Sequence, residues 1–103
     1  MTERRRLPNR RPHEVFDFVH RDFIYTAGIG RDATGAVAEI FLTAAKNGTL
    51  IDEAARDAAI VASLALQHGA SAETIRHAVT RNADGSASGP IGRALDILAE
   101  ASA

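Results

Sequence analysis

Apolar and polar residues alternate with a period of two along the first half of the chain, which predicts β-strands. Residues 14–20 and 23–29 form two such runs, separated only by Arg21 and Asp22. A third run covers residues 36–42 and follows a four-residue turn from Asp32 to Gly35. Because connections of two and four residues favour hairpins, the pattern predicts a three-stranded antiparallel sheet.

The turn lengths also predict which residues pair across the sheet. The expected pairs are His20–Phe23, Phe18–Tyr25 and Phe16–Ala27 in the first hairpin, and Ile29–Ala38 and Ala27–Ile40 in the second. This register places one set of apolar side chains on the predicted core face: Phe16, Phe18, Phe23, Tyr25, Ile29, Ile40 and Leu42. The opposite face keeps a second apolar set, diluted by polar residues: Val15, Val19, Ile24, Val37 and Phe41.

The pattern changes to a helical one after Gly48. Thr49 is suited to cap a helix over residues 50–68, with Asp52 three residues later. Beyond its first turns this segment is apolar on nearly every side, which predicts a central, buried helix. Gly69 is suited to the left-handed conformation that ends it.

Two shorter helices are expected after this one. Ser71 is suited to cap a helix that reaches about Arg81, and Pro90 to begin a last helix after a loop over residues 82–89. The order βββααα predicts an α+β fold, in which a three-stranded antiparallel sheet carries three helices packed on one face.

Length and composition place this fold in one compact domain. The chain has 103 residues, of which 46% are apolar and 24% charged, a balance that argues against disorder. We divide it into an arm, residues 1–12, and a single α+β domain, residues 13–103. The absence of cysteine excludes disulfides, thiolate metal ligands and cysteine nucleophiles. Apolar runs end well before 18 residues and none follows the arginine-rich start, so we expect a cytoplasmic protein without a membrane partner.

The net charge of −1 conceals a basic arm on an acidic body. The arm holds only Glu3 against five arginines: Arg4, Arg5, Arg6, Arg10 and Arg11. These guanidiniums are suited to an acidic protein partner or to the phosphates of nucleic acid, and a merely solubilising tail is the alternative. No aromatic residues lie between them, which argues against sequence-specific reading of bases.

A second candidate site lies at the start of the first helix. Lys46, Gly48 and Thr49 combine a cation, a glycine and free backbone N–H groups, which could hold a phosphate. Plain helix capping is the alternative interpretation, and the Gly-Lys-Thr order of a Walker loop is absent. The four histidines share no metal-ligand spacing on one element, so we expect no metal site.

Several segments follow one another in an order that resembles a known family. They are Arg4-Arg-Arg-Leu-Pro8, the hairpin, Glu39-Ile-Phe41, Lys46-x-Gly48-Thr49 and Ser63-Leu-Ala-Leu-Gln-His-Gly69. Together, over residues 4–98, they resemble the TSCPD domain at the C-terminus of adenosylcobalamin-dependent (class II) ribonucleotide reductases, which also occurs as a short stand-alone protein. The family's Thr-Ser-Cys-Pro-Asp signature would fall near residues 87–91, where only Ser88 and Pro90 match.

The resemblance implies a connection with ribonucleotide reduction and hence with DNA synthesis. Because the radical-bearing and reducing cysteines are missing, no catalytic residue is carried over and we expect no catalysis by this chain alone. We therefore expect a non-catalytic accessory or regulatory module without a cofactor, which forms a homodimer and contacts a ribonucleotide reductase subunit. Two alternatives stay open: a small nucleic-acid-binding protein that uses the arginine arm, and a nucleotide- or phosphate-binding domain that uses residues 46–49.

Overall fold

The computed structural model describes residues 13–46 and 48–101, and its elements have the predicted order. The strands are β1 (His13–His20), β2 (Phe23–Arg31) and β3 (Val37–Ala44), which form one antiparallel sheet in the order β1-β2-β3. The helices are α1 (Leu50–Gln67), α2 (Ala72–Ala78) and α3 (Pro90–Ala101). The domain is therefore an α+β fold, as the sequence predicts.

The first hairpin has the predicted register. His20 lies opposite Phe23, and Phe18 opposite Tyr25 with the two rings stacked at a centroid distance of 5.5 Å. The turn residues Arg21 and Asp22 have φ angles of 50° and 69°. Two left-handed residues in succession are typical of a type I′ turn, whose twist matches that of the two strands. The local turn therefore determines this register.

The second hairpin pairs residues two positions away from the predicted register. Ile29 lies opposite Ile40, and Ala27 lies opposite Leu42. The predicted pairs Ile29–Ala38 and Ala27–Ile40 are therefore wrong. A shift of two residues leaves each side chain on the same face, because successive side chains alternate between faces. The predicted core face is consequently preserved.

An irregularity between Gly30 and Arg31 accounts for part of this shift. Gly30 pairs with Glu39, but the next residue, Arg31, pairs with Val37, so β3 contains one extra residue at this point. An extra residue reverses the alternation of faces beyond it. Val37 therefore packs against the core, and its predicted place on the opposite face is wrong.

The core lies between one face of the sheet and the helices. Its largest fully buried side chains are Ile29, Ile40, Leu42 and Leu95. The sheet contributes the predicted core residues except Phe16, which is half-buried, and Phe23, which is exposed at the hairpin end. The smaller core residues come mainly from the helices, which lets the helices approach the sheet closely.

Helix α1 lies at the surface of the domain, so the prediction of a central, buried helix is wrong. Ala55, Ala59 and Leu66 face the sheet and are buried, whereas the opposite side exposes other apolar residues: Leu50, Ile60, Val61 and Leu64. The helix has apolar residues on both sides, but the described part of the chain covers only the side that faces the sheet.

The predicted helix ends are mostly confirmed. The Thr49 hydroxyl accepts a hydrogen bond from the Asp52 N–H, and the Ser71 hydroxyl accepts one from the Thr74 N–H. Gly69 has a φ of 111°, the left-handed region expected after α1. Helix α2 is shorter than predicted, since it ends at Ala78 rather than near residue 81.

Candidate binding surfaces

The predicted anion site lies at the N-terminus of α1, and its donors already have partners within the chain. The Gly48 N–H donates to Asp52 Oδ2 at 3.3 Å, and the Thr49 hydroxyl donates to the Lys46 carbonyl at 2.9 Å. Lys46 is exposed. A phosphate would therefore compete with the Asp52 carboxylate at this position. Anion binding by Lys46, Gly48 and Thr49 stays a prediction.

Asp52 connects the start of α1 to the end of β3. Its carboxylate is 3% exposed and accepts hydrogen bonds from the Ala44 N–H at 2.8 Å and from Arg56 Nε at 2.9 Å. The hydrogen bond from Arg56, followed by that from Ala44, holds the pKa of Asp52 below its ordinary value. This buried carboxylate therefore stays ionised. It stabilises the fold, because it accepts hydrogen bonds from the backbone of Ala44 in β3, from the backbone of Gly48 before α1 and from the side chain of Arg56 in α1.

Helix α1 also supplies hydrogen bonds to the outer edge of β3. The Ser63 hydroxyl accepts from the Ile40 N–H and donates to the Ile40 carbonyl, both at 2.9 Å. Gln67 Nε2 donates to the Ala38 carbonyl at 3.3 Å. Unpaired backbone groups at a sheet edge invite pairing with another chain. Side chains of α1 therefore block much of this edge.

These polar contacts were missed by the sequence analysis, although a signal was present. Ser63 and Gln67 are four residues apart in an otherwise apolar stretch of α1. Residues at this spacing lie on the same side of a helix. The pattern indicates a polar strip, but not that the strip meets a strand edge.

A groove of about 410 Å³ runs between β3 and α1. Phe41 and Leu42 line it from the strand, and Ile60 and Leu64 from the helix. Ile60 and Leu64 are more than two-fifths exposed, so the groove presents apolar surface beside the blocked edge. The apolar part of the groove suits an apolar side chain, and the charged residues Glu39 and Arg56 also line it.

The larger apolar surface is the sheet face turned away from the core, which we call the outer face. Four of its side chains are at least 50% exposed: Val15, Val19, Ile24 and Phe41. Asp17 and Thr26 lie among them, and the Thr26 hydroxyl donates to Asp17 Oδ1 at 2.7 Å. Except for Val37, this face carries the apolar residues predicted for it.

The arm residues Arg4, Arg5, Arg6, Arg10 and Arg11 lie outside the described residues. Contact of these arginines with a protein partner or with nucleic acid therefore stays a prediction. The same holds for the boundary between arm and domain, which is drawn between residues 12 and 13 from the sequence.

The histidines whose side chains are described lie in separate places. His20 Nε2 is 3.0 Å from the Ser88 carbonyl oxygen, and His77 Nε2 is 2.6 Å from Glu73 Oε1. Within residues 13–46 and 48–101, no group of three or more histidines and carboxylates is placed to hold a metal ion. None of the helices in these same ranges combines the length and apolar character needed to cross a bilayer.

Comparisons with known proteins add no relative to this description. The chain matches no protein-family model, no curated protein sequence and no solved structure. The interpretation of the surfaces therefore depends on their own chemistry.

Proposed function

We propose that this domain is a non-catalytic accessory module that acts by binding other protein chains. The observation that carries the proposal is the outer face, where Val15, Val19, Ile24 and Phe41 are each half exposed or more. Val15 and Phe41 lie on one side of the polar pair Asp17–Thr26, and Val19 and Ile24 on the other. Exposed apolar side chains clustered on one face of a small domain are typical of protein interaction sites. The apolar groove between β3 and α1 provides a second contact region of the same character.

The proposed target is a class II ribonucleotide reductase, and the proposed role is an accessory or regulatory one in deoxyribonucleotide synthesis. The segments that resemble the TSCPD domain support this choice of target. The arm supports a contact with an acidic partner, because five arginines within residues 1–12 provide donors that pair well with carboxylates. The outer face is also suited to self-association, so the proposal includes a homodimer.

A binding experiment with purified proteins tests this function. The chain is mixed with the class II reductase of its own organism, and complex formation is measured by calorimetry and by light scattering. We expect a complex that the Ile24→Lys variant weakens at least tenfold, because a charge would be buried at the apolar contact. Val61→Lys is the control, since Val61 is an exposed apolar residue (66%, against 53% for Ile24) that lies on α1. Absence of a complex at micromolar concentrations would refute the proposed target.

A further inference from the structure

The hydrogen-bond directions in the sheet show which backbone groups of β1 point outward. The Ala45 N–H donates to the Ile24 carbonyl at 2.9 Å, so Ile24 bonds toward the β3 side. Residues alternate in direction along a strand, and Tyr25 and Ala27 therefore bond toward β1. Their partners there are Phe18 and Phe16.

The intervening residues of β1, namely Val15, Asp17 and Val19, consequently direct their N–H and C=O groups away from the sheet. None of these groups has a hydrogen-bond partner within residues 13–46 and 48–101. The β3 edge differs, because Ser63, Gln67 and Asp52 bond to its outward groups. In the part of the chain that the structure describes, the sheet therefore has one edge blocked by α1 and one free edge on β1.

The side chains along this free edge form a simple pattern. Val15 and Val19 are 63% and 62% exposed and flank Asp17 on the outer face. Asp17 accepts a hydrogen bond from the Thr26 hydroxyl, and no arginine, lysine or histidine of the described ranges forms an ion pair with it. Among the described residues, a carboxylate that has no cationic partner thus lies between two exposed valines, beside unpaired backbone groups.

This pattern disfavours a second copy of the same strand as the occupant. When two β1 strands pair antiparallel so that Val15 lies opposite Val19, Asp17 lies opposite Asp17 of the other copy. Like charges directly opposite each other destabilise a strand pair. A basic residue at that position would instead pair with the carboxylate.

We propose that the free edge of β1 binds an extended segment of the partner protein, which adds a fourth, antiparallel strand to the sheet. The segment carries an arginine or lysine opposite Asp17 and apolar residues opposite Val15 and Val19. Backbone hydrogen bonds supply the attachment, while the alternate side chains supply the specificity. This inference rests on the proposed function as a protein-binding module and specifies the chemistry of the bound segment.

A designed peptide tests the proposal directly. The probe is the capped heptapeptide Thr-Val-Thr-Arg-Thr-Val-Thr, titrated into the full isotope-labelled chain and followed by NMR. We expect the largest shifts at residues 15–19, and binding that is roughly tenfold weaker when glutamate replaces the arginine. N-methylation of the Val, Arg and Val residues should abolish binding, because their N–H groups face β1. N-methylation of the threonines should leave binding in place, because their N–H groups point away from β1.

Charge reversal on the protein provides the matched test. Asp17→Lys should reverse the preference, so that the glutamate peptide binds better than the arginine peptide. Asp57→Lys, an equal change of charge on the exposed side of α1, should leave the preference unaltered. Thermal unfolding of both variants confirms that they are folded.

The possible outcomes separate this proposal from the proposed function. Failure of the arginine peptide to bind at millimolar concentration, equal binding of the two peptides, or shifts confined to the β3–α1 groove would overturn the edge proposal. Self-association that persists in the Ile24→Lys variant and that the peptide displaces would identify a second copy as the occupant of the edge and would also overturn the edge proposal. If a complex with the reductase still forms in any of these cases, the proposed function holds, and the reductase binds a surface other than the β1 edge.

Discussion

Asp96 on α3 holds Arg81 in a two-point ion pair. Arg81 Nη1 donates to Oδ2 at 2.6 Å, and Nη2 donates to Oδ1 at 2.8 Å. The same carboxylate accepts from Arg76 Nε of α2 at 2.9 Å. Asp96 is only 13% exposed. Through Arg76 it connects α3 to α2, and through Arg81 it connects α3 to the segment after α2. The short helix α2 has no fully buried residue, so this ion-pair cluster adds to the partly buried apolar contacts of Ala72 and Ile75 with the core.

Loss of the Asp96 charge should destabilise the domain. Asp96→Asn leaves Arg81 without its carboxylate and Arg76 with only that of Glu73, so we expect the free energy of unfolding to fall by about 2 kcal/mol. Urea unfolding at pH 7 measures the change. Glu100→Gln is the control, because Glu100 is exposed and lies 3.6 Å from Arg93; its effect should stay below about 0.5 kcal/mol.

Acid should remove the contribution of the same cluster. The hydrogen bond from Arg81, together with Arg76, holds the pKa of Asp96 below its ordinary value. The pKa in the folded state is therefore lower than in the unfolded state, and the stabilisation is present above about pH 4 and lost as the pH falls further. The difference in unfolding free energy between wild type and Asp96→Asn should shrink from pH 6 to pH 2.5. A constant difference would contradict this explanation.

The Ser63 hydroxyl should contribute more to stability than other hydroxyls of the domain. Ser63→Ala removes both hydrogen bonds to the backbone of Ile40 and leaves a partly buried N–H and C=O unpaired. We expect a loss of about 1–2 kcal/mol in thermal or urea unfolding. Thr80→Ala alters an exposed hydroxyl and should change stability by less than about 0.5 kcal/mol. Equal effects of the two substitutions would argue against the edge contact.

The hairpin turn between β1 and β2 offers a stabilising change. Arg21 and Asp22 occupy left-handed conformations, which asparagine and glycine adopt more easily. The double substitution Arg21→Asn and Asp22→Gly should therefore raise the unfolding free energy by about 1 kcal/mol. The long contact of 3.4 Å between Arg21 and Asn82 is exposed, so its loss should matter little. A lower melting temperature would show that this contact outweighs the backbone effect.

Self-association should depend on the outer face. Ile24→Lys places a charge among the apolar residues of the outer face, and we expect it to convert the proposed homodimer to a monomer with little change in melting temperature. Light scattering at micromolar concentration measures the mass. Val61→Lys on α1 should leave the dimer unchanged. A monomeric wild-type chain would remove the dimer from the proposal.

The elements of the fold could be predicted from the sequence because their causes are local. The two-residue turn at Arg21 and Asp22 determines the first hairpin, and Thr49 and Ser71 mark helix starts within three residues of the N–H groups that they bind. The period of the apolar residues distinguishes strands from helices in the same way. Each of these signals acts over a few residues.

The candidate surfaces were only partly predictable. The outer face can be predicted from the alternation along β1 and β2, because successive side chains of a strand point to opposite faces of the sheet. Whether an edge is free depends on a distant helix, and Ser63 meets Ile40 across 23 residues of chain. The pattern in the sequence therefore indicates an apolar sheet face, but not that the β1 edge beside it is free within the described residues.

The sequence by itself thus determined the strands, the helices, their order and the first register, because backbone preferences and turn chemistry depend on neighbouring residues. Only the tertiary structure decided the second register, the exposure of Ile60 and Val61 on α1, and the meeting of Asp96 with Arg81. The reason is that an extra residue in one strand, the number of layers over a helix, and contacts between separate elements depend on packing of the whole chain. An apolar residue favours burial wherever it stands, but the arrangement of the layers determines which apolar residues are covered.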